Sequence, residues 1–395
     1  MKKISFLLIL IFLSACERTT DTGEVLKFYG DAKEDIGYSV ATGSDGYYIA
    51  GQLTEITRNG NQIVSYTPKP GIIKTGFDGN VSWKEYPAGR LRGSFSKIIV
   101  LDDGSVAAAG MVTDTTENKT DIYIAHLASD GSLIAQKQVK MTENQTSKDL
   151  LQIAGGFLIL GTTDAERPVT AEGTGNYAGN TDALVVKTDN NLNIIDASPI
   201  GFPYNDTGVA IRPDAGGGYI IAGTTQLSTG NRDIFLWKIN SSLAETDTAR
   251  IGGSNNEIAA DLEATNDGYF IAGTVLNASS ADSIEIIRMP LVLSQGPLFK
   301  RKFGSKNSWT AAAISPYKNG SFVLAGTEGS SSESKMLIFP FDADGQLLYD
   351  RVKISGSSGM QVSYDVVSDK DGNVIAVGTN TFGSNSLITL LKFRF

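Results

Sequence analysis

The chain has 395 residues, of which 41% are hydrophobic, enough for a large core. Its 43 glycines are spread evenly, which excludes a low-complexity chain and points to turn-dense β structure. A net charge of −9 with no run of Lys or Arg excludes the electrostatic footprint of a nucleic-acid binder.

Met1-Lys2-Lys3 forms a positive start, and the ten residues Ile4 to Leu13, apolar except for Ser5, are too few to span a bilayer. Leu13-Ser14-Ala15-Cys16 then resembles a bacterial lipobox, whose cysteine is acylated. Residues 1–16 therefore read as a lipoprotein signal peptide. Cys16 is the only cysteine, so no intrachain disulfide can form. Several acyl chains anchor a protein stably where one does not. Glu17 in place of Asp favours the outer membrane, with the protein facing either the periplasm or the cell surface. Residues 17–24 (ERTTDTGE) are polar and read as a short tether. Loss of Lys2 and Lys3 with the signal peptide takes the net charge from −9 to −11.

From residue 25 a single unit recurs: a Gly-containing turn, an aromatic or aliphatic run, then Gly, commonly preceded by Ala and followed by Thr. Its seven copies run Asp45 to Gly51, Asp103 to Gly110, Gly155 to Gly161, Gly217 to Gly223, Asp267 to Gly273, Asn319 to Gly326 and Asp371 to Gly378, and the closing glycines stand 50 to 62 residues apart. A strand-rich repeat of this period predicts a β-propeller, a single domain over 25–395. The fifth copy shows one blade. Ile258 to Ala264 reads as strand A, Asn266-Asp267-Gly268 as a tight turn, Tyr269 to Thr274 as strand B, Ile284 to Met289 as strand C and Leu298 to Phe303 as strand D. In the sixth, strand D is expected at Leu348 to Ile354. The small residues of the Ala-Gly pair are read as room for neighbouring blades to pack face to face. Val25 to Gly30 looks like a D strand without its blade, and Ser386 to Lys392 like a C strand lacking its D strand. The two oddities predict a seven-bladed ring of four-stranded blades, closed by the N-terminal strand on the last blade.

The repeat resembles those of secreted and lipid-anchored β-propeller proteins common in Bacteroidota, through Gly217-Gly-Tyr-Ile-Ile-Ala-Gly-Thr-Thr225 and Asp233-Ile-Phe-Leu-Trp-Lys238. The resemblance implies the fold and an envelope location; most such proteins have no known activity.

Catalytic and metal chemistry find little support. His126 is the only histidine and stands where other copies carry Lys74, Lys187, Lys238, Arg288 and Lys392, so it reads as a structural residue. With His126 read as structural no Ser-His-Asp triad is expected, and an acylated cysteine and a single histidine exclude Cys-His and multi-histidine sites. Asp121, Asp182, Asp233 and Asp282 recur at the head of strand C and read as structural. Asp342-Ala-Asp344-Gly345 and Asp369-Lys-Asp371-Gly372 lack the glutamate that completes a calcium loop and read as turns. No cofactor motif is found, and none is expected. Glu34, Asp35, Glu166, Asp206 and Glu257 are the carboxylates available for an alternative function, a glycan hydrolase or lyase.

The leading expectation is a non-enzymatic binding scaffold with a protein or glycan partner, of which an accessory subunit of an outer-membrane complex is a special case. Its site is placed on the rim that carries the B–C and D–A connections. Two B–C connections there are long and read as loops: Thr54 to Pro70, with Arg58 and Tyr66, and Thr163 to Thr181, with Glu166, Arg167 and Tyr177. Arg90, Arg92 and Trp309 complete the candidate rim.

Overall fold

The structure, a computed structural model, describes residues 24–395 apart from 31–32, 115–118, 142, 165–180, 279, 331–332, 349–351 and 357–358. The signal peptide, Cys16 and most of the tether lie outside the described residues. Seven four-stranded antiparallel sheets follow one another along the chain. Their strands cover 36–85, 92–139, 145–200, 206–251, 256–303, 308–355 and 360–393, blades 1 to 7. No described helix is long and apolar enough to cross a membrane.

The seventh blade takes its outer strand from the other end of the chain. Val25–Tyr29 pairs antiparallel with Asn385–Phe393, from Val25↔Lys392 to Tyr29↔Ile388. This completes the fourth strand of the last blade, covers the edge of its C strand and closes the ring.

The repeat reads as an unbroken apolar run because both faces of strand B are buried. In blade 4, Ile220 and Ala222 join the apolar cluster shared with blade 5, while Ile221 joins the one shared with blade 3. Each of the seven apolar clusters is shared by two neighbouring blades.

The basic residues of strand C add a polar link at the rim of the A–B and C–D turns. Lys74 donates to Ser129 O (3.3 Å), Lys187 to Ser241 O (2.8 Å), Lys238 to Leu291 O (2.8 Å) and Lys392 to Phe77 O (3.0 Å), in each case a carbonyl of the next blade's C–D turn. His126, at the same position, instead meets Ser105 Oγ of its own blade at 2.8 Å and sets its ring edge against Phe157. Asp342 and Asp369 each accept backbone N–H groups two and four residues ahead, the geometry of Asp-initiated turns.

Two expectations need correction. Residues 54–70 are no loop: Tyr47–Asn59 and Gln62–Thr75 pair out to Asn59↔Gln62 with one bulge, at Val64, so blade 1 carries a long β-hairpin. Gly60-Asn61 makes its turn, with Gly60 at φ 60° in the first central position, and β-branched residues on both flanks extend the ladder. In blade 6, the described D strand is only Lys353–Ser355.

Candidate functional site

Every strand A carries one β-bulge at the same register, opposite the repeat glycine of strand B. The pairing jumps from Ser147↔Gly161 to Asp149↔Leu160 in blade 3, and likewise in the other six blades. The extra residues are Tyr38, Ser96, Lys148, Val209, Ala260, Ala312 and Tyr364, and all seven line one cavity of about 290 Å³ on the propeller axis. A bulge re-aims the side chain it inserts, and here it turns seven of them towards the axis.

The bulge also gives the repeat glycine its reason. A Cβ at Gly51, Gly110, Gly161, Gly326 or Gly378 would collide with a carbonyl oxygen of strand A in the same blade: Ile36, Ser94, Thr146, Thr310 and Val362 respectively. At these five positions the constraint therefore lies chiefly within the blade, whereas at Gly273 Ile234 of the neighbouring blade comes nearest.

The residues that follow the bulge are Ser39, Lys97, Asp149, Ala210, Asp261, Ala313 and Asp365, and they link the blades around the axis. Asp149 accepts from Leu150 N with Oδ1 (2.9 Å) and from Ile211 N of blade 4 with Oδ2 (2.9 Å). Asp261 repeats this with Leu262 N (2.8 Å) and Ile314 N of blade 6 (3.0 Å). Asp365 accepts from Val366 N (2.9 Å), and from Val40 N (3.1 Å) and Ser39 Oγ (2.7 Å) of blade 1. Ser39 Oγ in turn accepts from Ile98 N of blade 2 at 3.3 Å. The Thr after the glycine supplies further links: Thr224, Thr274 and Thr327 accept from Ala259 N, Ala311 N and Ser363 N of the next blade.

Two cations neutralise part of this ring. Arg212 spans blades 3 to 5, donating to Asp149 (2.6 Å) and Asp261 (3.0 Å) and lying 3.8 Å from Glu263. Lys97 Nζ is 3.4 Å from Asp365. Burial opposes the charge on both cations, but the surrounding carboxylates outweigh it and raise both pKa values. Glu263 is the least compensated member. Burial pushes its pKa up to about 7, against the opposing pull of Arg212.

This axial ring escaped the sequence reading. Its signal was present: Asp149, Asp261 and Asp365 each precede an aliphatic residue and stand 12 or 13 residues before a repeat glycine. The chemistry it can perform is restricted. Each of the three aspartates already accepts backbone N–H bonds on both oxygens, so none is a free acid, base or nucleophile of the kind glycoside hydrolysis needs.

The carboxylates singled out from sequence take other places. Asp35, Asp206 and Glu257 occupy one equivalent position at the head of strand A in blades 1, 4 and 5, and all are buried. Asp206 accepts from Phe202 N (2.7 Å) and Glu257 from Gly253 N (3.3 Å), each pinning its own D–A loop, while Asp35 accepts from Thr54 N (2.6 Å) on strand B. Trp309 holds the same position in blade 6. It is buried beside Phe339 (ring centroids 6.1 Å), so it packs in the core and is not displayed to a partner. Arg58, Arg90, Arg92 and Glu34 are exposed. Tyr66 is half-buried under Lys33, whose Nζ lies 4.6 Å from the ring centroid. Glu166, Arg167 and Tyr177 lie outside the described residues. Beside Arg58, the hairpin tip leaves Ile63 and Val64 42% and 64% exposed.

No family model matches the chain, and no curated protein matches it. Solved structures do. Puromycin hydrolase is similar with a TM-score of 0.56 and 9% identity, over 90% of this chain and 52% of that protein. The uncomplexed acylaminoacyl peptidase of Pyrococcus horikoshii is similar with a TM-score of 0.51 and 14% identity, over 92% of this chain and 52% of its own. The chain spans about half the length of these proteins. At such low identity the likeness shows the propeller fold alone.

Proposed function

We propose that this chain is a non-enzymatic binding propeller, held at the outer membrane by acylated Cys16, that receives a protein or glycan partner on its B–C/D–A rim. One contrast carries the reading. The axial carboxylates are committed to the frame, whereas the blade 1 hairpin exposes Arg58, Ile63 and Val64. An exposed apolar tip flanked by a cation suits a contact surface better than a catalytic one.

The path of the chain supports the orientation. Val25 pairs with Lys392, whose ammonium bonds the C–D turn of blade 1, and Glu24 meets Lys353 at 2.7 Å at the start of a D strand. The N-terminal strand therefore enters at the A–B/C–D rim. A tether of eight residues, reaching at most about 30 Å, sets that rim towards the membrane and leaves the hairpin rim facing away.

Affinity capture of the acylated protein from its own envelope in mild detergent tests this, alongside the variant R58A/I63S/V64S. A stoichiometric partner recovered with the native protein and lost with the variant is the expected outcome. Equal recovery with both would remove the hairpin from the site. Release of a Cys16→Ser variant from the membrane fraction checks the anchor, and retention would overturn it.

A further inference from the structure

On the hairpin side of the axial ring, blades 3, 4 and 5 enclose a second pocket of about 650 Å³, which shares Lys148, Val209, Ile258 and Ala259 with the axial cavity. Its size falls within the range of small-molecule sites, about 300–1,000 Å³. Among the described residues its wall carries two cations, Lys148 and Arg232, and no carboxylate, in a chain whose net charge is −9. Neither side chain has an ion-pair or hydrogen-bond partner among the described residues, whereas Arg212 and Lys97 below them are both paired.

The neutral groups of the wall are arranged as donors. Asn205 Oδ1 accepts from Thr181 N (3.2 Å) and Thr181 Oγ1 (3.3 Å), which fixes which end of its amide is oxygen. Its Nδ2 therefore donates to Gln226 Oε1 (2.7 Å), which in turn fixes Gln226. The Nε2 of Gln226 keeps its N–H groups free among the described residues. Thr224 Oγ1 already accepts from Ala259 N (2.9 Å), so its hydroxyl proton remains to be donated. Two unpaired cations and two held donors, with no acid beside them among the described residues, make a site short of anions.

We propose that this pocket binds a small hydroxylated anion, a sugar acid or sugar phosphate, with the charged group held by Lys148 and Arg232 and ring oxygens accepting from Gln226 and Thr224. Charge-assisted hydrogen bonds to carboxylate or phosphate supply the selectivity over neutral sugars. This site is independent of the hairpin and can exist with or without a macromolecular partner.

Calorimetric titration of the full-length acylated protein in detergent with glucuronate, glucose 6-phosphate and glucose tests it. At least one charged sugar should bind, and glucose should bind at least about tenfold more weakly, as loss of charge-assisted bonds implies. Which charged sugar binds separates a carboxylate from a phosphate ligand. K148A/R232A should abolish that binding, and Q226L should weaken it about tenfold. Both cations are exposed, so the thermal midpoint of K148A/R232A should match that of the native protein and exclude misfolding. K353A, remote from the pocket, should bind as the native protein does. Absence of binding by both charged sugars, equal affinity for glucose, or unchanged affinity in K148A/R232A would each overturn the proposal.

Discussion

The axis and the blade 1 hairpin are made from the same repeat and have opposite characters. At the axis, each strand A gives one residue to a bulge, and the aspartates after it are bonded to two backbones at once. In the hairpin, the B and C strands run on past the body of the blade and end in exposed Ile63 and Val64. Charge that is buried and fully bonded serves the frame. Apolar surface that is exposed is free to serve a partner. The acidic residues of this protein are poor guides to its function, because the best-placed ones are used up in holding the blades together.

The comparison breaks first at Arg212. R212A leaves Asp149 and Asp261 buried without their shared cation, and chemical denaturation should show a loss of about 3–5 kcal/mol. A loss below about 1 kcal/mol would make the axial pairs equivalent to surface ones. Next comes Gly161. G161A drives a methyl group into the Thr146 carbonyl and should cost about 1–3 kcal/mol, read from the same denaturation curves.

A subtler test is the pH profile of Glu263. Between the usual glutamate value of 4.5 and its folded value of about 7, the folded protein holds more protons than the unfolded chain. Stability contributed by the protonated group is complete below the unfolded value and is lost as pH rises through the folded one. The thermal midpoint of E263Q relative to the native protein should therefore climb across that window and level off above it. A difference independent of pH would show that Glu263 titrates in the folded protein as it does in the unfolded chain. The smallest effect belongs to the hairpin. I63S/V64S should change stability by no more than about 0.5 kcal/mol by denaturation, since both side chains are exposed at a tip. A larger loss would mean that the tip is part of the frame.

Ring size, strand order and closure were legible in the chain because each depends on a pattern repeated seven times or on a mismatch between two termini. Val25–Tyr29 is recognisable as a D strand from its likeness to Leu298 to Phe303, wherever the chain places it. Local turn chemistry could have revealed the hairpin through Gly60-Asn61, but its length masked it as a loop. The site was another matter. Asp149 reads as one more polar residue on an alternating strand until Ile211 and Arg212 of the next blade are set beside it. Lys148 and Arg232, 84 positions apart in sequence, face one pocket only because blades 3 and 4 pack together. Period and propensity are properties of neighbours along the chain, so sequence alone determined the architecture. Bulge register, charge pairing and the pocket depend on neighbours across blade junctions, and only the tertiary structure decided them.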